Sequence, residues 1–238
     1  MAKIATHQRL LLVSAVIAVV AWLFARPVVL PLVFLNTHVH EMCHAITAVV
    51  TGGSVLKIQV FSDGSGVTLT MGGWEWAIAS AGYVGASVVG SFVVLSSRSE
   101  RGAKVALGSL LALLVAELAI WLRGDGTGIA TNVALIVLIA LAVRVLNGVR
   151  LRLLAAAIGV VLTIAAFESL SVLWQISLMA GTMSDAALMQ KMAWLPAWFW
   201  VTAWSSLSAI LLVLSVRAAW RNPILEKGDG NHVQVGAD

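Results

Sequence analysis

Cysteine occurs once in the 238 residues, at Cys43, so no intrachain disulfide can staple the fold and the redox compartment is left open. Charge is scarce as well: Asp, Glu, Lys and Arg make up 11% of the chain against 60% hydrophobic residues. That balance, with a strongly positive mean hydropathy, excludes a soluble domain of this size. The net charge of +4 calls for no nucleic acid, because the basic residues sit mostly in short loops between apolar runs. No chain of carboxylates or histidines recurs across successive apolar segments, which weighs against a metal transporter. Nothing in the composition marks a second domain.

What the chain has in abundance is apolar sequence in lengths that match a bilayer. A spanning helix needs about 20 mostly apolar residues. Windows of that kind run over about 10–25, 28–50, 74–96, 105–122, 129–145, 151–179 and 196–216. The first reads as a retained span, since no small-x-small cleavage site follows it. Tryptophans cluster toward segment ends (Trp74 and Trp76; Trp194, Trp198, Trp200 and Trp204; Trp220), where amphipathic rings meet lipid headgroups. With seven spans, the excess of Lys and Arg in loops opposite the N-terminus places the N-terminus outside and the tail in the cytoplasm.

One stretch breaks the helical pattern. Leu56, Ile58 and Val60 alternate with Lys57 and Gln59, and beyond a Ser62-Asp63-Gly64-Ser65-Gly66 turn Val67, Leu69 and Met71 alternate with Thr68 and Thr70. Period-two alternation about a turn predicts a β-hairpin over about 55–71. Ser184-Asp185 opens a short amphipathic helix with Ser184 as its N-cap. The expected architecture is an all-α polytopic membrane protein of about six to seven transmembrane helices with a small interfacial hairpin. Residues 1–220 form its single domain, and 221–238 a disordered polar tail.

The chemistry lies in His40-Glu41-Met42-Cys43-His44, a His-Glu-x-x-His run inside an apolar segment. Two histidines four apart project from one helix face toward one point, and the glutamate between them reaches a metal-bound water. The expected roles are zinc ligation by His40 and His44 and general-base work by Glu41, which passes the proton on to the leaving amine. On a membrane helix such groups have few structural excuses, because lipid offers them no partners. His38 lies about 200° around the helix from His40 and is expected at an interface or hydrogen-bonded to a neighbour. Cys43, about 100° from His44, is expected to pack rather than ligate, although thiolate affinity for zinc keeps it in view. Glu117 is expected to be a buried structural carboxyl as readily as a functional one. The small residues of 77–91 are expected to let helices approach closely, or to shape a path toward the metal.

Five short motifs extend the pattern: His40-Glu41-Met42-Cys43-His44-Ala45, Thr51-Gly52-Gly53, Asp63-Gly64-Ser65-Gly66-Val67-Thr68, Ser80-Ala81-Gly82-Tyr83-Val84-Gly85, and Ser184-Asp185-Ala186 ahead of Leu195-Pro196-Ala197. In this order the chain resembles bacterial peptidases of the site-2 protease class, in particular peptidase M50B-like membrane proteins. The resemblance implies an intramembrane zinc metalloprotease that cuts transmembrane protein substrates within the lipid bilayer, and a multi-pass protein of the bacterial plasma membrane. It leaves the oligomeric state open.

The chain also departs from that pattern. Site-2 proteases complete their zinc site with an aspartate from a later helix, and the M50B-like pattern has a Trp-Asp-Ile run where this chain has Trp174-Gln175-Ile176. A neutral amide is a poor zinc ligand beside a carboxylate. Asp185, Gln175 and Glu168 remain as third-ligand candidates in that order, and Asp185 can also be explained as a favourable charge at a helix start. A non-proteolytic membrane binding or regulatory protein on a degenerate metallopeptidase scaffold is the alternative reading.

Overall fold

In the computed structural model the chain is described over residues 6–24, 26–124, 126–177 and 184–221. These contain eight helices and one two-stranded sheet: α1 Thr6–Phe24, α2 Arg26–Val50, β1 Ser54–Val60, β2 Gly66–Met71, α3 Glu75–Ser96, α4 Glu100–Ile120, α5 Gly126–Val145, α6 Gly148–Ser177, α7 Asp185–Ala193 and α8 Ala197–Arg221. Four of them, α3, α4, α5 and α8, are long and apolar enough to cross a membrane. Their outward faces are apolar, with Val133, Val137 and Leu141 on α5 and Ile210, Val213 and Leu214 on α8 exposed, as lipid requires. Of the expected tail, 221–238, Arg221 instead closes α8, and 222–238 lie outside the described residues.

α3 is the central helix, packed against α2, α6 and α8. Its small residues permit the approach: a Cβ on Gly90 would meet Thr163 and the carbonyl of Gly159 across the α6 interface. The core between α2, α4 and α6 holds Leu35, Val39, Leu107, Leu114, Leu151 and Leu162, all fully buried. On the opposite side α1 packs along α6.

The hairpin is antiparallel, with Ile58 opposite Thr68 and Val60 opposite Gly66. A bulge between Val55 and Lys57 interrupts the alternation expected of β1, so Ile58 and Val60 are buried while Leu56 is exposed. The outer edge of β1 is taken: Ile58 N–H donates to Trp121 O at 2.8 Å, and Arg123 N–H to Ile58 O at 2.9 Å. That pairing explains why α4 ends at Ile120 rather than running on to Leu122. At its other end α4 starts a turn earlier than expected, because Ser99 Oγ caps it by accepting from Gly102 N–H at 3.0 Å.

The hairpin turn is tied to α2. Asp63 Oδ1 accepts from the amide and the hydroxyl of Ser65, at 2.9 and 2.6 Å, and these bonds hold its carboxyl below the usual carboxylate range. Gly64 takes the left-handed conformation the turn needs, φ 87°, and its carbonyl accepts from Thr37 Oγ1 at 2.7 Å. The hairpin thus lies along the α2 turns that carry the His-Glu-x-x-His run.

Candidate metal centre

α2 places His40 and His44 one turn apart on the face turned toward α3, with the two Nε2 atoms 3.0 Å from each other. The ring of His44 is fixed from behind. Its Nδ1 stands 2.6 Å from the carbonyl of Ile78, an oxygen that only accepts, so Nδ1 carries the proton and Nε2 presents a lone pair. His40 is held by an edge-on contact with Tyr83, ring centres 4.5 Å apart, and Tyr83 in turn stacks on Trp204 of α8 at 5.4 Å.

The third member comes from α7. Ser184 caps this helix, its hydroxyl accepting from Ala187 N–H at 3.2 Å as its position before Asp185 predicts. The cap sets the first turn so that Asp185 Oδ2 lies 3.4 Å from His44 Nε2 and 3.6 Å from His40 Nε2. Asp185 is therefore more than a favourable charge at a helix start.

These atoms fit a metal. A tetrahedral zinc site with bonds of about 2.0–2.1 Å has ligand-to-ligand edges of about 3.3–3.4 Å. The three observed edges are 3.0, 3.4 and 3.6 Å. His40, His44 and Asp185 are a candidate metal-binding group, each offering one ligand atom. Two imidazoles and one carboxylate form the donor set of hydrolytic zinc sites, which keep a fourth position open. The space is shaped by Gly82 of α3: a Cβ there would collide with Nε2 of both histidines. Only glycine leaves the two rings their place.

Glu41 is buried, 4% exposed, and its carboxylate is turned to the hairpin. Thr68 Oγ1 donates to Glu41 Oε2 at 2.6 Å and stands 3.0 Å from the Glu41 backbone carbonyl, while Oε1 lies against Gly66. Cys43 falls outside the metal-binding group: its sulfur packs on Gly85. It lines a groove of about 520 Å³ between α2, α3 and α8, bordered by Thr47, Ala81, Gly85, Trp204 and Leu207. Glu168 and Gln175 belong to α6, but their side chains lie outside the described set, so they are not placed relative to the histidines.

His38 turns to the other side of α2, as its angular position predicts. Its Nδ1 meets Glu117 Oε1 of α4 at 2.8 Å, its Nε2 meets Thr131 Oγ1 of α5 at 3.2 Å, and Asn132 Nδ2–H donates to Glu117 Oε2 at 3.0 Å. His38, Glu117 and Asn132 are fully buried. This network joins three helices and accounts for Glu117 without catalysis.

Three contributors were not singled out from the sequence as parts of the site: Gly82, Tyr83 and Thr68. Gly82 and Tyr83 lie within a motif of the resemblance and in the small-residue run expected to pack helices or shape a path toward the metal, and Thr68 ends another such motif within the strand alternation. The available signal was the order of the motifs rather than any residue's chemistry.

Neither curated proteins nor solved structures give a match to the chain. A match to a family as a whole does exist, and it runs over residues 12–215, from within α1 almost to the end of α8, so that it encloses α2, the hairpin and α7 together. The chain belongs to the peptidase M50B-like family.

Proposed function

We propose that this protein is an intramembrane zinc metalloendopeptidase of the site-2 protease type, acting on transmembrane protein substrates in a bacterial plasma membrane. The observation that carries the reading is the convergence of His40 Nε2, His44 Nε2 and Asp185 Oδ2 on one point, beside Glu41, within apolar helices. The family supports a membrane metallopeptidase in general, and the finer roles below are our assignment.

His40, His44 and Asp185 would hold the ion. When bound, zinc supplies a Lewis acid for the scissile carbonyl and lowers the pKa of a water. Everything else falls to the chain. The Glu41 carboxylate takes a proton from the attacking water as the carbon–oxygen bond forms, then returns it to the leaving nitrogen as the carbon–nitrogen bond breaks. The Ile78 carbonyl keeps His44 in the tautomer with Nε2 unprotonated. The groove beside Cys43 and Trp204 offers an apolar wall to a transmembrane segment. A helical peptide bond must unwind before hydrolysis; with the β1 edge occupied, the β2 edge is where the hairpin can receive an extended chain. In this reading α1, α2 and α6 cross the bilayer with the four apolar spans, giving seven.

The test is elemental analysis of the detergent-purified protein beside a His40→Ala, His44→Ala double variant, with cleavage of a transmembrane substrate followed in the parent and in Glu41→Gln. We expect about one zinc per chain in the parent, none in the double variant, and cleavage lost in Glu41→Gln with zinc retained. A parent that takes up no metal when zinc is supplied refutes the assignment. The Trp174-Gln175 departure favours one alternative, a binding or regulatory protein on the same scaffold; metal and phenotype both surviving Glu41→Gln would establish that reading instead.

A further inference from the structure

The Glu41 carboxylate does not owe its orientation to α2 alone. On β2, Gly66 and Thr68 are two residues apart and share one face of the strand, and both meet Glu41. A Cβ on Gly66 would overlap Glu41 Cγ, Cδ and Oε1, at 2.8, 2.9 and 2.5 Å. Thr68 Oγ1 has a single proton to give and two acceptors in range, Oε2 at 2.6 Å and the Glu41 carbonyl at 3.0 Å. The shorter contact, to a carboxylate, takes it. The carbonyl then serves as a second marker of position: the hydroxyl is lodged against backbone and side chain of one residue at once.

The strand that carries this hydroxyl is itself fixed. Its turn is held to α2 through Thr37 and Gly64, and its partner strand to Trp121 and Arg123. A glutamate has three side-chain torsions to settle, and a single anchored donor at its far end settles them together. Thr68 touches none of His40, His44 or Asp185 through any hydrogen bond described above.

We propose that Thr68 is the positioning residue for Glu41: its hydroxyl holds Oε2, and Gly66, by lacking a side chain, leaves Oε1 its place, so that the carboxylate is fixed in one orientation for proton transfer. The proposal rests on the reading of Glu41 as the group that moves the proton. Misplacement of a reacting group by about 1 Å costs on the order of 100-fold in rate.

The experiment compares Thr68→Val, which keeps the shape and removes the donor, with Thr68→Ser, which keeps the donor. Three readouts are taken in detergent: zinc per chain, kcat and KM on a transmembrane peptide substrate, and unfolding midpoints of Thr68→Val, Glu41→Ala and the double variant. We expect zinc unchanged in both Thr68 variants, kcat down by roughly 10- to 100-fold in Thr68→Val with KM within about threefold, and recovery to within about threefold of the parent in Thr68→Ser. The midpoint shifts of the two single variants should not add in the double, because both remove one contact. Equal losses in Thr68→Val and Thr68→Ser, an unaltered kcat in Thr68→Val, or additive midpoint shifts would each overturn the proposal. Cleavage that survives Glu41→Gln removes the reading beneath it, and a non-additive cycle in that case marks the contact as structural only, which also overturns a positioning role.

Discussion

Replacing Gly82 by alanine adds one methyl group at the point where the structure has least room for it. The added carbon would come closer to Nε2 of both His40 and His44 than non-bonded atoms tolerate, so the rings, α3 or both must move. His44 cannot swing back without giving up its 2.6 Å bond to Ile78 O, and His40 is backed by Tyr83. Relief needs a displacement of about half an ångström or more, against a tolerance of about 0.2 Å in metal–ligand distances. The loss should therefore reach at least that of a missing support to a ligand, about 10- to 100-fold in affinity, or roughly 1.4–2.7 kcal/mol. Chelator competition followed by elemental analysis measures it directly. Gly82→Ala should surrender zinc at correspondingly lower chelator concentration while its unfolding midpoint without metal stays near that of the metal-free parent. Parental zinc affinity in Gly82→Ala would refute the reasoning, because the two imidazoles would then not meet at the surface of Gly82.

Two further outcomes follow from the same geometry. Asp185→Asn keeps the shape but replaces a carboxylate with a weak ligand, so zinc affinity should fall by at least 10-fold in the same chelator titration; unchanged affinity would return the third position to Gln175 or Glu168. Glu117→Leu leaves two buried polar nitrogens, His38 Nδ1 and Asn132 Nδ2, without their carboxyl partner, at about 1–3 kcal/mol each, so unfolding in detergent should show a loss of roughly 2–6 kcal/mol, and the His38→Leu, Glu117→Leu pair should cost less than the sum of its members; simple additivity would deny the pairing.

The parts of this molecule that were legible in the sequence are those whose geometry is local. His40 and His44 meet because a helix returns to the same face after four residues, and His38 is turned away by the same rule. Ser184 caps α7 for a reason written within four residues of chain. The hairpin was visible as alternation, but the bulge at Leu56 was not, because a bulge adds no residue type that alternation would register. The closing of the metal group was legible only as a ranking, Asp185 ahead of Gln175 and Glu168, because Asp185 lies 141 residues from His44 and its approach depends on the packing of α7 and α8 on α3. Gly82 and Thr68 were hidden for a related reason. One acts by lacking a side chain and the other through a hydroxyl on a strand, and neither announces a role until the neighbour it serves is in place.

α2 is the element on which both polar clusters depend, and they divide its circumference. On one face His40 and His44 turn to α3 and α7; on the other His38 is locked to α4 and α5 through Glu117 and Thr131. Between them Glu41 leans on the hairpin, which is itself fastened to α2 at Thr37 and to the end of α4 at Trp121. A helix among apolar neighbours is free to rotate or slide at little cost, since one aliphatic contact resembles another. A buried histidine–carboxylate bond is not interchangeable in that way, and breaking it leaves uncompensated polar groups where no water reaches. The His38–Glu117 pair, with the ties at Thr37, Glu41 and His44, thus helps to set the rotation of α2, and with it the direction in which His40 and His44 point. That makes the His38 face a condition for the candidate metal face: a variant that loosens Glu117 should weaken zinc binding, measured by the same chelator titration, although Glu117 stands on the far side of the helix from His40, His44 and Asp185.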